Sequence, residues 1–278
     1  MNDITAGRGP QELSGQEDTY VRHIPSMTTA AVRAALKRGT DTVIIPVGAT
    51  EQHGPHAPLA TDSIVAEEVA IRLATRIDAL VAPLIPVSFS AQHLSFAGSI
   101  SLSLDTLVQV LCEVTESLAG QGFRRFVLFS GHGGNRTAID VAARELKVRH
   151  GQDFQVMVLN LLALQTSAEL RQRVESKLGV KFSGIWEAHG GEQETAMAMA
   201  RDERLVDLGQ APPEAAAIDG YIRRTRDPIA WIVSFDLPKY SAHGTWGDPR
   251  GATAEQGRVV LDLLAEMLAE RIAGKWED

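Results

Sequence analysis

The chain has 278 residues and a formal net charge of −8, from 27 Lys and Arg against 35 Asp and Glu. This acidic balance, without a Lys/Arg-rich block, argues against nucleic acid and anionic membrane surfaces as partners. The one cysteine, Cys112, excludes an intrachain disulfide and a cysteine-based zinc site, so any metal must be held by His, Asp and Glu. We find no apolar stretch of transmembrane length and no secretory h-region, and therefore expect a soluble, cytoplasmic protein.

Apolar periodicity and turn signals predict alternating helices and strands. Helices are predicted at residues 28–38, 63–77, 105–119, 136–150, from 193, and 255–275, and strands at 41–47, 81–87, 126–129 and 154–161. Asp62 or Ser63 is expected to cap the second helix, and Asp105 the third. This alternation predicts an α/β fold with a largely parallel sheet covered by helices on both faces.

The same sequence patterns predict the domain organisation. We expect a flexible N-terminal arm at residues 1–22 and a single domain at 23–278. Residues 205–250 are rich in Pro and Gly and are predicted to form an irregular excursion, with a strand-like stretch at 231–235.

Carboxylates and an imidazole follow the first predicted strand. Glu51 and His53 stand at alternating positions, and Asp62 follows nine residues after His53. Alternating side chains of an extended segment point the same way, so Glu51 and His53 can share one site. Divalent metals accept this mixture of oxygen and nitrogen donors. The segment is therefore interpreted as half of a metal site.

The run SGHGGN, residues 130–135, comes directly after a buried strand and opens a helix. Open α/β sheets bind ligands at such positions. Its glycines let the backbone approach a metal or substrate closely, and His132 supplies a further donor. The alternative interpretation is a tight strand–helix turn capped by Asn135.

A third cluster, EAHGGEQET at residues 187–195, precedes a predicted helix. Glu194 could reach a metal, and His189 could serve as a proton donor or acceptor. The alternative is an acidic helix N-terminus in which Glu192 and Glu194 complement the dipole, and this alternative is favoured for Glu192. The segment around His93 and residues 244–249 are candidates for a substrate pocket, with an ordinary loop as an equal alternative. His56 is assigned to a loop or pocket.

Together these motifs resemble the creatininase (creatinine amidohydrolase) family. The matching stretches are PVGATEQHGPHAPLATD, SGHGGN, HGGEQETA and GDPRGATAEQG, in the family's order between about residues 40 and 260. The resemblance implies a three-layer α/β/α sandwich and a homohexamer. It also implies two divalent metal ions, zinc, manganese or iron, that serve the hydrolysis of non-peptide amide C–N bonds in small molecules.

The same resemblance assigns individual residues. Asp62 would bridge two metals, and His189 takes the place of the catalytic histidine. Gly134 stands where creatininase has a metal-binding Glu, so Glu194 is assigned as the replacing ligand and as part of the catalytic set. The implied metal ligands are Glu51, His53, Asp62, His132 and Glu194. The candidates for substrate or oxyanion contacts are Gly133, Gly134, Asn135, His93 and Trp186.

The working hypothesis is attack on an amide or formamide by a hydroxide that bridges the two metals, with His189 protonating the leaving nitrogen. Ile185 stands where creatininase has the Trp that covers the creatinine ring. This difference argues against creatinine as the substrate. The alternatives within the family are creatinine hydrolysis, deformylation of a formamidopyrimidine, and a peptidase-like role in mycofactocin maturation. A metal-dependent phosphoesterase or lyase and a catalytically inactive metal- or ligand-binding homologue are the alternatives of other classes.

Overall fold

A parallel sheet lies at the centre of the described structure, a computed structural model that describes residues 21–181, 189–212, 233 and 237–276. Its four described strands are β1 (Thr42–Val47), β2 (Ala79–Val81), β3 (Arg125–Ser130) and β4 (Gln155–Val158). They run in the order β2-β1-β3-β4, and every pair is parallel. β1 is buried along its whole length because both faces of the sheet are covered.

Nine helices surround the sheet in the described part of the chain. They are α1 (Thr29–Lys37), α2 (Thr61–Arg76), α3 (Leu104–Ala119), α4 (Arg136–His150), α5 (Leu161–Gln165), α6 (Ala168–Leu178), α7 (Glu192–Arg201), α8 (Leu237–Tyr240) and α9 (Ala254–Ile272). Short 3-10 turns lie at Ile24–Ser26, Ala91–His93, Gly133–Asn135, Glu203–Leu205, Leu208–Gln210 and Pro249–Gly251.

Side chains alternate between two cores along the strands. Ile44 packs with α2, α5, α6, α7 and α9 on one face, whereas Val43 and Ile45 pack with α1, α3 and α4 on the other. In β3, Val127 belongs to the first core and Phe126 to the second. The alternation follows from the two-residue period of a strand. The predicted three-layer α/β/α sandwich with a parallel sheet is confirmed.

The second strand differs from its prediction. It spans Ala79–Val81 rather than residues 81–87, and beyond it only an isolated bridge joins Ile85 to Val47. Pro83 and Pro86 cause the difference, because proline has no N–H to donate to a strand ladder.

Two helix caps also differ from their predictions. α2 begins at Thr61 after Ala60, so Asp62 lies inside the first turn instead of capping it. The cap of α3 is Ser103, whose Oγ accepts from Thr106 N, rather than Asp105.

β4 is shorter than the predicted 154–161, and it is followed by two unpredicted helices. Asn160 ends the extended segment because its side chain accepts from Ala163 N and caps α5. α6 follows at once and is capped by Ser167.

Several predictions fall outside the described residues. The arm lies almost wholly there, although Arg22 is described and forms an ion pair with Asp78. The single-domain assignment stays a prediction, as does the strand-like stretch 231–235, of which Val233 alone is described. Among the helices that are described, none is both long enough and apolar enough to cross a membrane.

Gly257 of α9 lies directly against the backbone of α7. A Cβ atom built on it would lie 1.9 Å from the carbonyl oxygen of Ala196. We expect Gly257→Ala to lower the free energy of unfolding by about 1–3 kcal/mol, because this overpacking outweighs the gain in helix propensity. Denaturant unfolding measures the change. Gly120→Ala is the matched control, since its Cβ would lie an ordinary 3.5 Å from Glu116 O. Equal stability of the two variants would contradict the close contact.

Candidate metal centre

The predicted ligands meet at the carboxyl edge of the sheet, where β1 and β3 end and the chain order reverses. Glu51 and His53 lie in the loop after β1, and Asp62 lies in the first turn of α2. His132 follows β3 directly, and Glu194 belongs to the first turn of α7. This edge is the usual position for ligands of open parallel sheets.

Asp62 stands between two halves of the cluster. Its Oδ2 atom is 3.3 Å from His132 Nδ1, which is also 3.1 Å from Glu51 Oε1. Its Oδ1 atom is 3.3 Å from His53 Nε2, which is also 3.5 Å from Glu194 Oε2. One carboxylate therefore faces both groups of donors, as a ligand shared by two cations would.

Several buried nitrogen and oxygen atoms of the cluster form no hydrogen bond, which indicates the kind of ligand that the cluster could bind. Both carboxylate oxygens of Glu51, Nε2 of His53 and Oδ2 of Asp62 are buried and have no hydrogen-bond partner among the described residues. Their side chains lie at ion-pair distances from one another or from His132 without hydrogen bonds between them, and divalent cations bound between them would satisfy these atoms. The residues present therefore fit the implied metals.

In His53 and His132, the ring nitrogen that points away from the cluster, here called the rear nitrogen, contacts a backbone carbonyl oxygen. His53 Nδ1 donates to Glu51 O at 3.1 Å, and His132 Nε2 donates to Phe89 O at 3.1 Å. A neutral imidazole then directs its other nitrogen, with a free lone pair, into the centre. His53 and His132 are thus oriented as metal ligands.

Gly131 brings His132 next to Asp62. A Cβ atom at this position would lie 2.2 Å from Asp62 O, so only glycine lets the end of β3 contact the first turn of α2. Gly134 is crowded in a similar way, because its Cβ would lie 2.3 Å from His132 Nε2. A Glu at this position would displace the His132 ring, which accords with a ligand contributed from α7.

Charge interactions change several pKa values in the metal-free protein. Burial alone would lower the pKa of His53, but Asp62, with Glu194 and Glu51, raises it to about 10. Burial likewise opposes protonation of His132, yet Glu51 and Asp62 hold its pKa well above the usual value. Burial raises the pKa of Glu194 to about 7. These groups therefore carry protons near neutral pH.

Metal binding is expected to release these protons. At pH 7 the protonated His53 must lose its proton to become a ligand, so uptake should release at least about one proton per chain. Affinity should consequently fall as the pH is lowered. Calorimetric titration with zinc, in two buffers of equal pH and different ionisation enthalpy, measures the released protons. Equal heats in the two buffers would contradict the prediction.

His189 lies beside this cluster as a neutral imidazole. Burial, with the nearby His53 and His93, holds its pKa well below the usual value. Its Nε2 atom donates to Gln52 O at 2.7 Å, and Nδ1 lies 3.8 Å from Glu51 Oε1. Its ring is 4.9 Å from that of Trp246. His189 therefore turns an unprotonated nitrogen toward the centre.

The remaining residues that were predicted to contact the substrate differ in where they lie. His93 is in the centre, with Nε2 3.3 Å from Glu51 Oε1. Asn135 is behind it, because its amide donates to Gly48 O, Ser88 Oγ and Ser130 Oγ, which ties the surrounding loops together. Trp186 and Ile185 fall outside the described residues.

A cavity of about 360 Å³ opens beside His132 and Gly133. It lies between the ends of β3 and β4 and the helices α4 and α5, and Arg136, Asp140 and Thr166 contribute polar groups to its wall. Arg136 and Asp140 face each other at 3.8 Å. The cavity provides space for a small organic molecule next to one predicted ligand, His132.

Gln52 was not predicted as a site residue, and His56 was predicted only as a loop or pocket residue. His56 Nε2 lies 3.0 Å from Thr195 Oγ1, next to Glu194, and the Gln52 amide contacts three segments around the centre. The only signal for Gln52 was its place between two predicted ligands, and strand alternation directs it to the opposite side.

The family model described as creatinine amidohydrolase matches residues 25–272. The chain belongs to the creatininase family. It is 31% identical to a creatinine amidohydrolase of Pseudomonas putida over 258 residues, which are 90% of this chain and 95% of that protein. It is 36% identical over 274 residues to a mycofactocin precursor peptide peptidase of Mycobacterium tuberculosis, covering 93% and 95%.

The names of two solved structures of relatives mention metals. One is named creatininase Mn and is 29% identical, with a TM-score of 0.74 over 92% of this chain and 99% of its own. Another is a creatininase mutant named as a Zn-Zn type, at 28% identity and a TM-score of 0.72, covering 92% and 98%. The match extends over nearly the whole of these related chains, and the curated relatives are hydrolases.

Proposed function

We propose that this family member is a dinuclear metal-dependent amidohydrolase that cleaves a non-peptide C–N bond, an amide or formamide, in a small molecule. The observation that supports it best is the convergence of unpartnered buried donor atoms from Glu51, His53 and Asp62, with a neutral His189 beside them. A carboxylate-rich centre next to a proton acceptor suits hydrolysis, whereas a purely structural metal needs no such neighbour.

Two groups of side chains would hold the metals. Glu51, Asp62 and His132 form one group, with ligand atoms within 4.8 Å of one another. His53, Asp62 and Glu194 form the other. When bound, zinc, manganese or iron(II) would polarise the scissile carbonyl and lower the pKa of a water molecule toward neutrality.

The protein's own residues would move the proton. His189 Nδ1 accepts the proton of the attacking water, while Nε2 stays fixed on Gln52 O. The protonated ring then donates the same proton to the departing nitrogen, because an unprotonated amide nitrogen leaves poorly. We assign oxyanion contacts to the backbone N–H groups of Gly133 and Gly134, which stand at the entrance to α4.

The cavity beside His132 is the proposed substrate pocket. Its volume suits a small amide, and Arg136 gives its wall a cationic group. A second candidate is cleavage of a peptide amide, because mycofactocin precursor peptidases are among the relatives, at 27% to 36% identity. The implied homohexamer and the cytoplasmic location accompany this proposal as predictions.

The rival enzyme class is a phosphoesterase. Phosphate substrates usually require Arg or Lys at the metals, and the wall of the cavity beside His132 contains one such residue, Arg136. Arg136, on the cavity wall, keeps two-thirds of its side chain exposed (67%). The centre therefore favours an uncharged acyl group.

A substrate panel tests the proposal. The chelated protein is reloaded with zinc or manganese and offered creatinine, a formamidopyrimidine, simple formamides, cyclic ureides, a short peptide amide and a chromogenic phosphate ester. We expect metal-dependent turnover of one of the amides. Hydrolysis of the phosphate ester alone would favour the phosphoesterase, and a fully loaded protein that cleaves none of them would favour the inactive homologue.

A further inference from the structure

Gln52 lies between two proposed ligands, but its side chain reaches away from them and is 5% exposed. Its Oε1 atom accepts from Gly54 N at 2.9 Å, and its Nε2 atom donates to Gly244 O at 2.9 Å. One backbone donor and one backbone acceptor thus fix which end of the amide is oxygen and which is nitrogen.

This fixed amide determines the tautomer of His93. Gln52 Nε2 lies 3.0 Å from His93 Nδ1. Because Nε2 of an amide can only donate, His93 Nδ1 must accept, and the ring carries its proton on Nε2. That protonated nitrogen is the one that faces Glu51 Oε1 at 3.3 Å.

His189 competes for the same amide but does not change the assignment. Gln52 Nε2 also lies 2.9 Å from His189 Nε2. His189 Nε2, however, is 2.7 Å from the carbonyl oxygen of Gln52, a distance that requires a proton on that nitrogen. The two amide protons of Gln52 therefore go to Gly244 O and His93 Nδ1.

We infer that Gln52 is a positioning residue that keeps His93 out of metal coordination by holding the proton on His93 Nε2. A ring nitrogen that carries a proton has no lone pair for a metal. The inference rests on the proposed metal centre, and it separates ligands from neighbours within that centre.

The contrast with His53 and His132 supports this assignment. The rear nitrogen of His53 lies 3.1 Å from Glu51 O, and that of His132 lies 3.1 Å from Phe89 O, nearer than the Gln92 amide nitrogen at 3.3 Å. Each rear nitrogen therefore donates to a carbonyl oxygen, and the front nitrogen presents a lone pair. The rear nitrogen of His93 faces an amide donor instead, so its front nitrogen presents an N–H. Without this difference His93 would be an eligible ligand, because its ring nitrogen, Glu51 and His189 also lie within 4.8 Å of one another.

Gln52→Glu reverses the polarity at this contact. The carboxylate accepts a proton from His93 Nδ1, which frees Nε2 for a metal. In zinc-loaded crystals, we expect His93 to be unbound in the wild type and at about 2.0–2.1 Å from zinc in Gln52→Glu. Zinc binding, measured by chelator competition, should be tighter in this variant.

The double variant Gln52→Glu/His93→Phe separates ligation from added charge. We expect it to lose the gain in zinc affinity. A gain that persists would come from the negative charge alone and would overturn the inference, as would a wild-type structure with His93 bound to zinc.

A second comparison does not require Gln52→Glu to fold. In the wild-type background, His132→Phe should lower zinc affinity at least about tenfold more than His93→Phe does. Equal losses would mean that His93 is a ligand and would overturn the inference. Turnover enters none of these measurements, so a protein that binds zinc in this way but cleaves no amide would refute the proposed function alone.

Discussion

Asp62→Ala is expected to remove the bound metal and the activity together. Asp62 is the only described carboxylate that faces both His53 and His132, at 3.3 Å in each case. Its loss takes a ligand from each half of the centre, and the polarised carbonyl and the activated water are lost with the metals. We expect turnover to fall by at least roughly 10³-fold, with metal content near zero. Elemental analysis and turnover on the same preparation measure both effects.

Asp262→Ala is the matched control for this variant. Asp262 is also a helical aspartate, but it pairs with Arg72 on the surface and is half exposed. Its removal should leave metal content and turnover unchanged, because exposed ion pairs contribute little to stability. An Asp62→Ala protein that retains its metal would contradict the bridging assignment, whatever its activity.

His189→Ala is expected to separate metal binding from catalysis. His189 Nε2 is fixed on Gln52 O, and its neutral ring offers Nδ1 to the centre. Removing it takes away the group that passes a proton to the leaving nitrogen, while the five proposed ligands stay in place. We expect wild-type metal content and a fall in kcat of about 10²–10⁴-fold.

Two further measurements strengthen this test. His150→Ala, which removes a histidine paired with Glu116 at 2.8 Å far from the centre, should keep full activity. Added imidazole should restore part of the turnover of His189→Ala, because a free base can enter the vacated space. If His189→Ala loses its metal, His189 is a metal ligand. If the variant keeps a kcat near that of the wild type, His189 is not the proton carrier.

Much of the fold follows from local patterns. β1 is a run of mostly β-branched residues that are all buried, and the glycine-rich turn before α4 predicts where that helix begins. The short strand β2 and the helices α5 and α6 were not predictable in the same way. Pro83 ends one strand early, and Asn160 converts the end of another into a helix cap, so a single residue outweighs the apolar pattern.

The candidate site was predictable where its residues follow strands of one parallel sheet. Glu51, His53 and His132 meet because the carboxyl ends of β1 and β3 lie side by side. The state of each histidine was not predictable, because it depends on groups distant in sequence. His132 is oriented by Phe89 O, and His93 by an amide that Gly244 O fixes in place.

The most direct test of the metal centre is its stoichiometry. The protein is stripped with a chelator, reloaded with zinc or manganese, freed of excess metal and measured by elemental analysis alongside Asp62→Ala. We predict about two equivalents per wild-type chain and almost none in the variant. Less than one equivalent in a folded wild-type protein, or equal content in the two proteins, would contradict the account.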